Sequence, residues 1–222
     1  MGEAEEQMEK KFKIGVLVLL AIFLVSGSIY AHDPAKEAMI KGIEFDKKGK
    51  YDEAIAEFDK AIELNPNFAE AYKNRGISFY HMEENKCAIS DFSKAKELNP
   101  KILIPRIAED EARAIVALKD IASAAHTYRS THRGYPSSLK DLYEGLTPPS
   151  IDAVLAKGTY WGYSFELIGI DSDSQMNYQG FTVNASPKIP GTTGKRHFFL
   201  DTTGVIRFNL TQKAGVNDKD LQ

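Results

Sequence analysis

A single cysteine, Cys87, leaves the chain without an intramolecular disulfide or a CxxC metal or redox site. It sits in a helical pattern, where a buried and inert thiol is the expectation. Lys and Arg number 28 against 31 Asp and Glu, with no dense basic patch, so the electrostatic footprint of a nucleic-acid binder is missing. The motifs of common catalytic sites are missing as well. There is no HExxH, and the histidines at His32, His81, His126, His132 and His197 show no metal-ligand spacing on a helix face. No G-x-S-x-G elbow occurs, and Gly191-Thr192-Thr193-Gly194-Lys195 lacks both the GxxxxGK[ST] spacing and the following helix of a phosphate loop. Asp171-Ser172-Asp173 starts like a calcium loop, but Met176 stands where an EF-hand needs glycine and no glutamate closes it. Asp171 and Asp173 therefore remain weak calcium candidates against the simpler reading of a polar surface loop. Neither an enzyme nor a cofactor is implied.

What is present begins with one long apolar run. Residues Ile14 to Ala31 contain no charge and are 18 in number, close to the lower limit of about 17 for a spanning helix. Lys10, Lys11 and Lys13 precede the run and His32, Asp33 and Pro34 follow it, so the positive-inside bias puts residues 1–13 in the cytoplasm and the rest outside. The rival reading is a cleaved signal peptide ending near Ser26-Gly27-Ser28. The acidic n-region and the length of the run favour a retained single-pass anchor.

The next feature is a repeat. Ala35 to Phe68 aligns with Ala69 to Ile102 at a 34-residue period, pairing Gly42 with Gly76, Phe45 with Phe79, Ala54 with Ala88, Phe58 with Phe92, Ala61 with Ala95 and Pro66 with Pro100. These positions resemble the tetratricopeptide repeat, a helix pair whose glycines admit close helix approach and whose proline ends the second helix. Lys41 and Arg75 depart from the leucine usual in that pattern. The resemblance implies a groove lined by the first helix of each pair, at Lys36, Met39, Ile43 and Asp46 and at Glu70, Lys73, Ile77 and Tyr80. Repeats that clamp a C-terminal carboxylate carry Lys and Asn where Met39 and Ile43 stand here, and only Asn74 fits, so carboxylate clamping is not expected. Such units bury their faces by stacking, and about three are usually needed. Two are visible, so something else must cover the second.

Ile107 to Pro136 is the natural cover. Ile107, Ala114, Ile115, Leu118, Ile121, Ala122, Ala125 and Tyr128 recur at threes and fours, which predicts a helix over 107–133 of roughly 40 Å. Glu109, Asp110 and Glu111 complement the positive end of its dipole, Arg129 and Arg133 the negative end, and Gly134 stops it. A short helix capped by Ser137 or Ser138 follows. Four strands come next. Trp161, Tyr163, Phe165 and Leu167 alternate with polar or small residues, as do Phe181, Val183 and Ala185, while His197 to Leu200 and Val205 to Leu210 flank a turn at Asp201-Thr202-Thr203-Gly204. Their apolar face is expected to pack on the long helix.

RGYPSSLKDL, FTVNASPKIPGTTGKRHFF and LDTTGVIRF give residues 105–210 a resemblance to the globular domain of type IV pilin-like and type II secretion pseudopilin-like proteins. The resemblance implies an α+β subunit of a bacterial extracytoplasmic filament, without enzymatic activity, in which some members bind calcium in a sheet loop. The family's leader glycine is followed five residues on by glutamate, whereas Gly15 here is followed by Val16-Leu17-Val18-Leu19-Leu20. The fold class expected is α+β: an N-terminal transmembrane helix at 14–31, two repeats at 35–102, the long helix on a four-stranded antiparallel sheet within 105–210, and a flexible tail at 211–222. The expected role is an inner-membrane adaptor or assembly factor of a pilus-like or secretion envelope system, with its repeats binding other envelope or filament proteins in the periplasm. The alternatives are a structural filament subunit and a small-ligand-binding protein or hydrolase.

Overall fold

The computed structural model describes residue 13, residues 33–172 and residues 177–221. The apolar run at 14–31 lies outside the described residues, and no helix among them is long and apolar enough to cross a membrane.

Four helices form two antiparallel pairs, α1 (Pro34–Lys47) with α2 (Tyr51–Leu64) and α3 (Ala69–His81) with α4 (Asn85–Leu98), each helix packed on the next. Asp33 starts the array, its carboxylate accepting from the Ala35 and Lys36 amides at 3.1 and 3.2 Å, with Pro34 at the first helical position. The two pairs close on the same detail. A Cβ placed on Gly42 would sit 2.5 Å from the ring of Phe58, and one on Gly76 would sit 2.7 Å from the ring of Phe92. Both rings are fully buried, as are Ala54, Ala61, Ala88 and Ala95 around them. The glycines are thus required by the approach of a phenylalanine, not by backbone conformation. Gly76→Ala is expected to lower stability by about 1–3 kcal/mol through overpacking, read as a lower urea midpoint at unchanged slope.

The third layer is one long helix, α5 (Arg106–Thr131), of 26 residues. Its first turns join the second repeat, where Ala108 completes a buried cluster with Ala88 and Phe92. From Ala114 to Ala125 it faces the other way chemically: Ile115, Leu118 and Ile121 pack with Leu142, Phe165, Phe181, Phe198 and Leu200 in the largest core of the protein. Two short helices follow, α6 (Leu139–Glu144) and α7 (Ala153–Ala156). Ser138 caps α6 in a capping box with Asp141, whose carboxylate accepts from the Ser138 amide at 3.0 Å.

The sheet has six strands, not four. They run as an antiparallel meander in chain order: β1 (Thr159–Tyr160), β2 (Tyr163–Ser172), β3 (Tyr178–Pro187), β4 (His197–Asp201), β5 (Ile206–Asn209) and β6 (Lys219–Asp220). The two extra strands are two residues each, too short for an alternation to register in sequence. Trp161, expected in a strand, instead forms the turn between β1 and β2 with Gly162, both at positive φ (42° and 76°). Of the expected flexible tail at 211–222, the described residues 211–221 are tied to the sheet. Ala214 is buried, Lys213 reaches Glu166 at 3.1 Å, and β6 pairs with β5 through Arg207 and Phe208. Lysine and alanine in a polar stretch carry no pattern that announces such contacts. Cys87 is also exposed rather than buried, because it lies on the outer face of α4, away from Phe92 and Ala88.

Candidate protein-binding groove and the ion-pair network behind it

The first helices of the pairs, α1 and α3, carry the eight groove positions, and their surroundings differ. Lys36 is exposed and pairs with Asp33 at 3.3 Å. Met39 is half-buried against Ala38, Ala61 and Ala71, and Ile77 is half-buried beside Ala88, Phe92 and Ala108. Ile43, Glu70 and Lys73 are half-buried as well. Asp46 is bound across the repeats: its Oδ1 accepts from the hydroxyl of Ser78, a fully buried residue of α3, at 2.6 Å. Tyr80 is engaged too, its hydroxyl donating to Glu111 Oε2 at 2.8 Å. Lys36, Met39, Ile43, Glu70, Lys73 and Ile77 thus keep side-chain atoms at the surface with no hydrogen bond or ion pair across the groove, whereas Asp46 and Tyr80 already hold partners.

Arg75 stands where the repeat pattern has leucine. Its guanidinium makes a paired contact with Asp91 of α4, Nε to Oδ2 at 2.8 Å and a terminal nitrogen to Oδ1 at 2.7 Å, and its other nitrogen reaches Asp59 of α2. A bidentate ion pair within the second repeat, extended to Asp59 of the first, replaces the apolar contact that leucine would make. Asp91 beside it, together with Asp59, keeps the Arg75 guanidinium firmly charged against the opposing effect of burial.

Behind the groove lies a network that the acidic triplet on α5 organises. Glu109, Asp110 and Glu111 do not merely complement a helix dipole, because all three are buried, at 6%, 5% and 1% exposure. Each faces a different partner. Glu109 accepts from Lys96 of α4 at 2.6 and 2.8 Å and from Arg113 at 3.1 Å. Asp110 pairs with Arg106 and lies so close to Gly162 that a Cβ there would fall 2.5 Å from its Oδ2. Burial pushes the Asp110 carboxyl up, with Arg106 opposing.

Glu111 holds the two halves of the protein together. Its Oε1 accepts the amides of Lys195 and Arg196 at 2.6 and 3.1 Å, and its Oε2 accepts Arg196 Nε at 2.7 Å and the Tyr80 hydroxyl. The Gly191–Lys195 segment is therefore an anion-receiving loop whose anion is the chain's own carboxylate. Gly194 is needed there because the Tyr163 hydroxyl fills the space of a Cβ. Arg196 continues the link, reaching Glu83 at 3.3 Å and lying over the rings of Tyr80, Phe198 and Phe208. Burial, and next the nearby Glu111 charge, push Tyr80 and Tyr163 well above the usual phenol range, so both stay protonated and donate. Tyr163 does so to the Arg196 carbonyl at 2.8 Å. Burial also raises the Glu83 carboxyl, partly offset by Arg196.

This network is not visible as a motif. One hint exists: Glu111 falls in the apolar register of Ile107, Ala114 and Leu118, and a charge on a buried stripe needs partners. Among the described residues no cluster of three or more His, Cys, Asp or Glu could hold a metal. Of the calcium candidates, Asp173 lies outside the described residues and Asp171 falls near the end of β2.

The TPR repeat family model matches residues 44–83, from within α1 through the end of α3. No curated protein matches the chain. Two solved structures similar to part of it are the TPR2B domain of yeast Sti1 in complex with pHsp70 and the TPR2AB domain of yeast Sti1 in complex with pHSP90. The first is 29% identical over 43% of this chain and 75% of that one, at a TM-score of 0.36. The second is 26% identical over 49% of this chain and 42% of that one, also at 0.36. The chain thus carries TPR repeat sequence, a protein-interaction module, joined through α5 to an antiparallel sheet.

Proposed function

We propose that the protein is a membrane-anchored adaptor or assembly factor of a pilus-like or secretion envelope system. It is held in a bacterial inner membrane by residues 14–31, with residues 1–13 cytoplasmic and its repeats and sheet in the periplasm. The repeat match over α1 to α3 carries this reading, since a stacked helix pair presents a groove. The apolar run, the lysines before it and the pilin-like character of residues 105–210 support the setting. Other envelope or filament proteins are the partners proposed for the groove at Lys36, Met39, Ile43, Glu70, Lys73 and Ile77.

Crosslinking in intact membranes followed by purification tests this. Recovery of an envelope or filament component from the native chain, reduced at least about tenfold by the double change Lys36→Glu and Lys73→Glu, is the expected result, a loss of about 1.4 kcal/mol or more in binding. Recovery of the same proteins by both chains would remove the groove from the account. A structural filament subunit is the competing reading, and it requires cleavage near Gly15. Mass spectrometry of the mature chain is expected to show the N-terminus uncut there.

A further inference from the structure

A second concave surface lies away from the groove. It is a cavity of about 490 Å³ between Ile89 on α4, Arg113, Val116 and Asp120 on α5, Leu155 on α7 and Tyr160 on β1. Ile89 belongs to the second helix of its pair, so this surface is not the face that α1 and α3 present. It exists only where the repeat meets the sheet domain.

Three observations mark it as a binding site. The first is Trp161, which follows the lining residue Tyr160 in the chain and stacks on the lining residue Arg113. The residue is 46% exposed yet held at φ +42°, a turn position that favours asparagine or glycine. The second is Arg113, whose guanidinium lies 3.9 Å beneath the Trp161 ring while its Nε is buried with no acceptor. Tryptophan, tyrosine and arginine grouped around a cavity is the composition of interface hot spots.

The third is charge. Arg113 is already paired with Glu109. Asp120 stands seven residues along the same helix, about 10 Å away, and makes no hydrogen bond or ion pair. Asp120 is exposed at the cavity mouth; partial desolvation there raises its carboxyl, and the charge of Lys86 acts in the opposite sense. Asp152, on the facing wall, uses its Oδ1 to cap α7 and adds further negative charge. The Asp120 end of the cavity is therefore apolar at its floor and anionic at its rim.

We propose that this cavity is a second protein-docking site, taking a basic side chain and an adjacent aliphatic residue from an extended segment of a partner protein. The alkyl stem rests on Ile89, Val116 and Leu155, the cationic head meets Asp120, and the neighbouring aliphatic residue covers the exposed face of Trp161. The site is independent of what the repeat groove binds.

The chain has one tryptophan, so its emission reports this site directly. Full-length protein would be titrated with the acetylated, amidated tripeptide Leu-Arg-Leu. A saturable change in emission is expected, with Asp120→Asn weakening it at least tenfold, the matching Leu-Glu-Leu peptide giving none, and Lys73→Glu in the groove leaving it intact. Asp120 makes no hydrogen bond, so the variant should unfold at the native midpoint, which serves as its folding control. The proposal is overturned by no saturable change, by equal binding of the acidic peptide, or by loss on Lys73→Glu but not on Asp120→Asn. An emission change that follows protein concentration alone would name a second copy as occupant and overturn it as well.

Discussion

Glu111→Ala should lower the unfolding free energy by about 3–5 kcal/mol, the range for removing one partner of a buried ion pair. The reason is what it leaves behind. Arg196 loses the carboxylate that neutralises it, the Tyr80 hydroxyl loses its acceptor, and the Lys195 and Arg196 amides lose theirs. Glu111 is 1% exposed, so water cannot replace these bonds without opening the interface. Glu111→Gln keeps the shape and one oxygen, and should cost less than the alanine variant. The difference between the two measures how much of the lock is steric and how much ionic. Equilibrium urea unfolding with tryptophan emission reads both, and a cost for alanine below about 1 kcal/mol would mean the contacts are not formed in solution.

Leu118→Asp is expected to have an effect of similar or greater size for a different reason. Leu118 is fully buried in the apolar cluster of Ile121, Leu142, Phe165 and Phe198. The substitution removes a buried aliphatic side chain, about 1.5–3 kcal/mol, and places an unpaired charge in its stead. A total above about 4 kcal/mol follows, enough to unfold much of the population of a domain of ordinary stability. Near-native unfolding of this variant would show that α5 does not seat on the sheet.

Much of this fold is legible in the sequence because it rests on periodicity. Gly42 and Gly76, Phe58 and Phe92, and the paired alanines recur at one spacing and meet in the structure as one contact made twice. The stripe from Ala114 to Ala125 reads as helical and is the face that meets the sheet. Strands β2 and β3 are ten residues each, long enough for alternation to be seen, whereas β1 and β6 are two residues and leave no trace. Trp161 looks like a strand residue because turn geometry at positive φ usually announces itself through glycine or asparagine, and here only Gly162 does so.

The interface between the halves was the illegible part, for a physical reason. Glu111, Arg196, Tyr80 and Glu83 are far apart in the chain, and charged residues on helices and loops are ordinarily solvated. Only the fold brings them together. The same holds for Arg75, Asp59 and Asp91, where a departure from the repeat pattern turns out to be an arginine paired within its own repeat and across to the first. Asp46 and Tyr80 differ from the other groove positions for this reason: their polar groups are already satisfied within the chain.

If the long helix and its buried acids couple the two halves, repeats and sheet unfold together. Trp161 sits in the turn between β1 and β2 and reports the sheet, while far-ultraviolet ellipticity is dominated by the helices, most of which belong to the repeats and α5. Urea unfolding of the native chain followed by both signals should give coincident transitions with one midpoint. Two separated transitions, with the tryptophan signal lost before or after the helical one, would contradict the account.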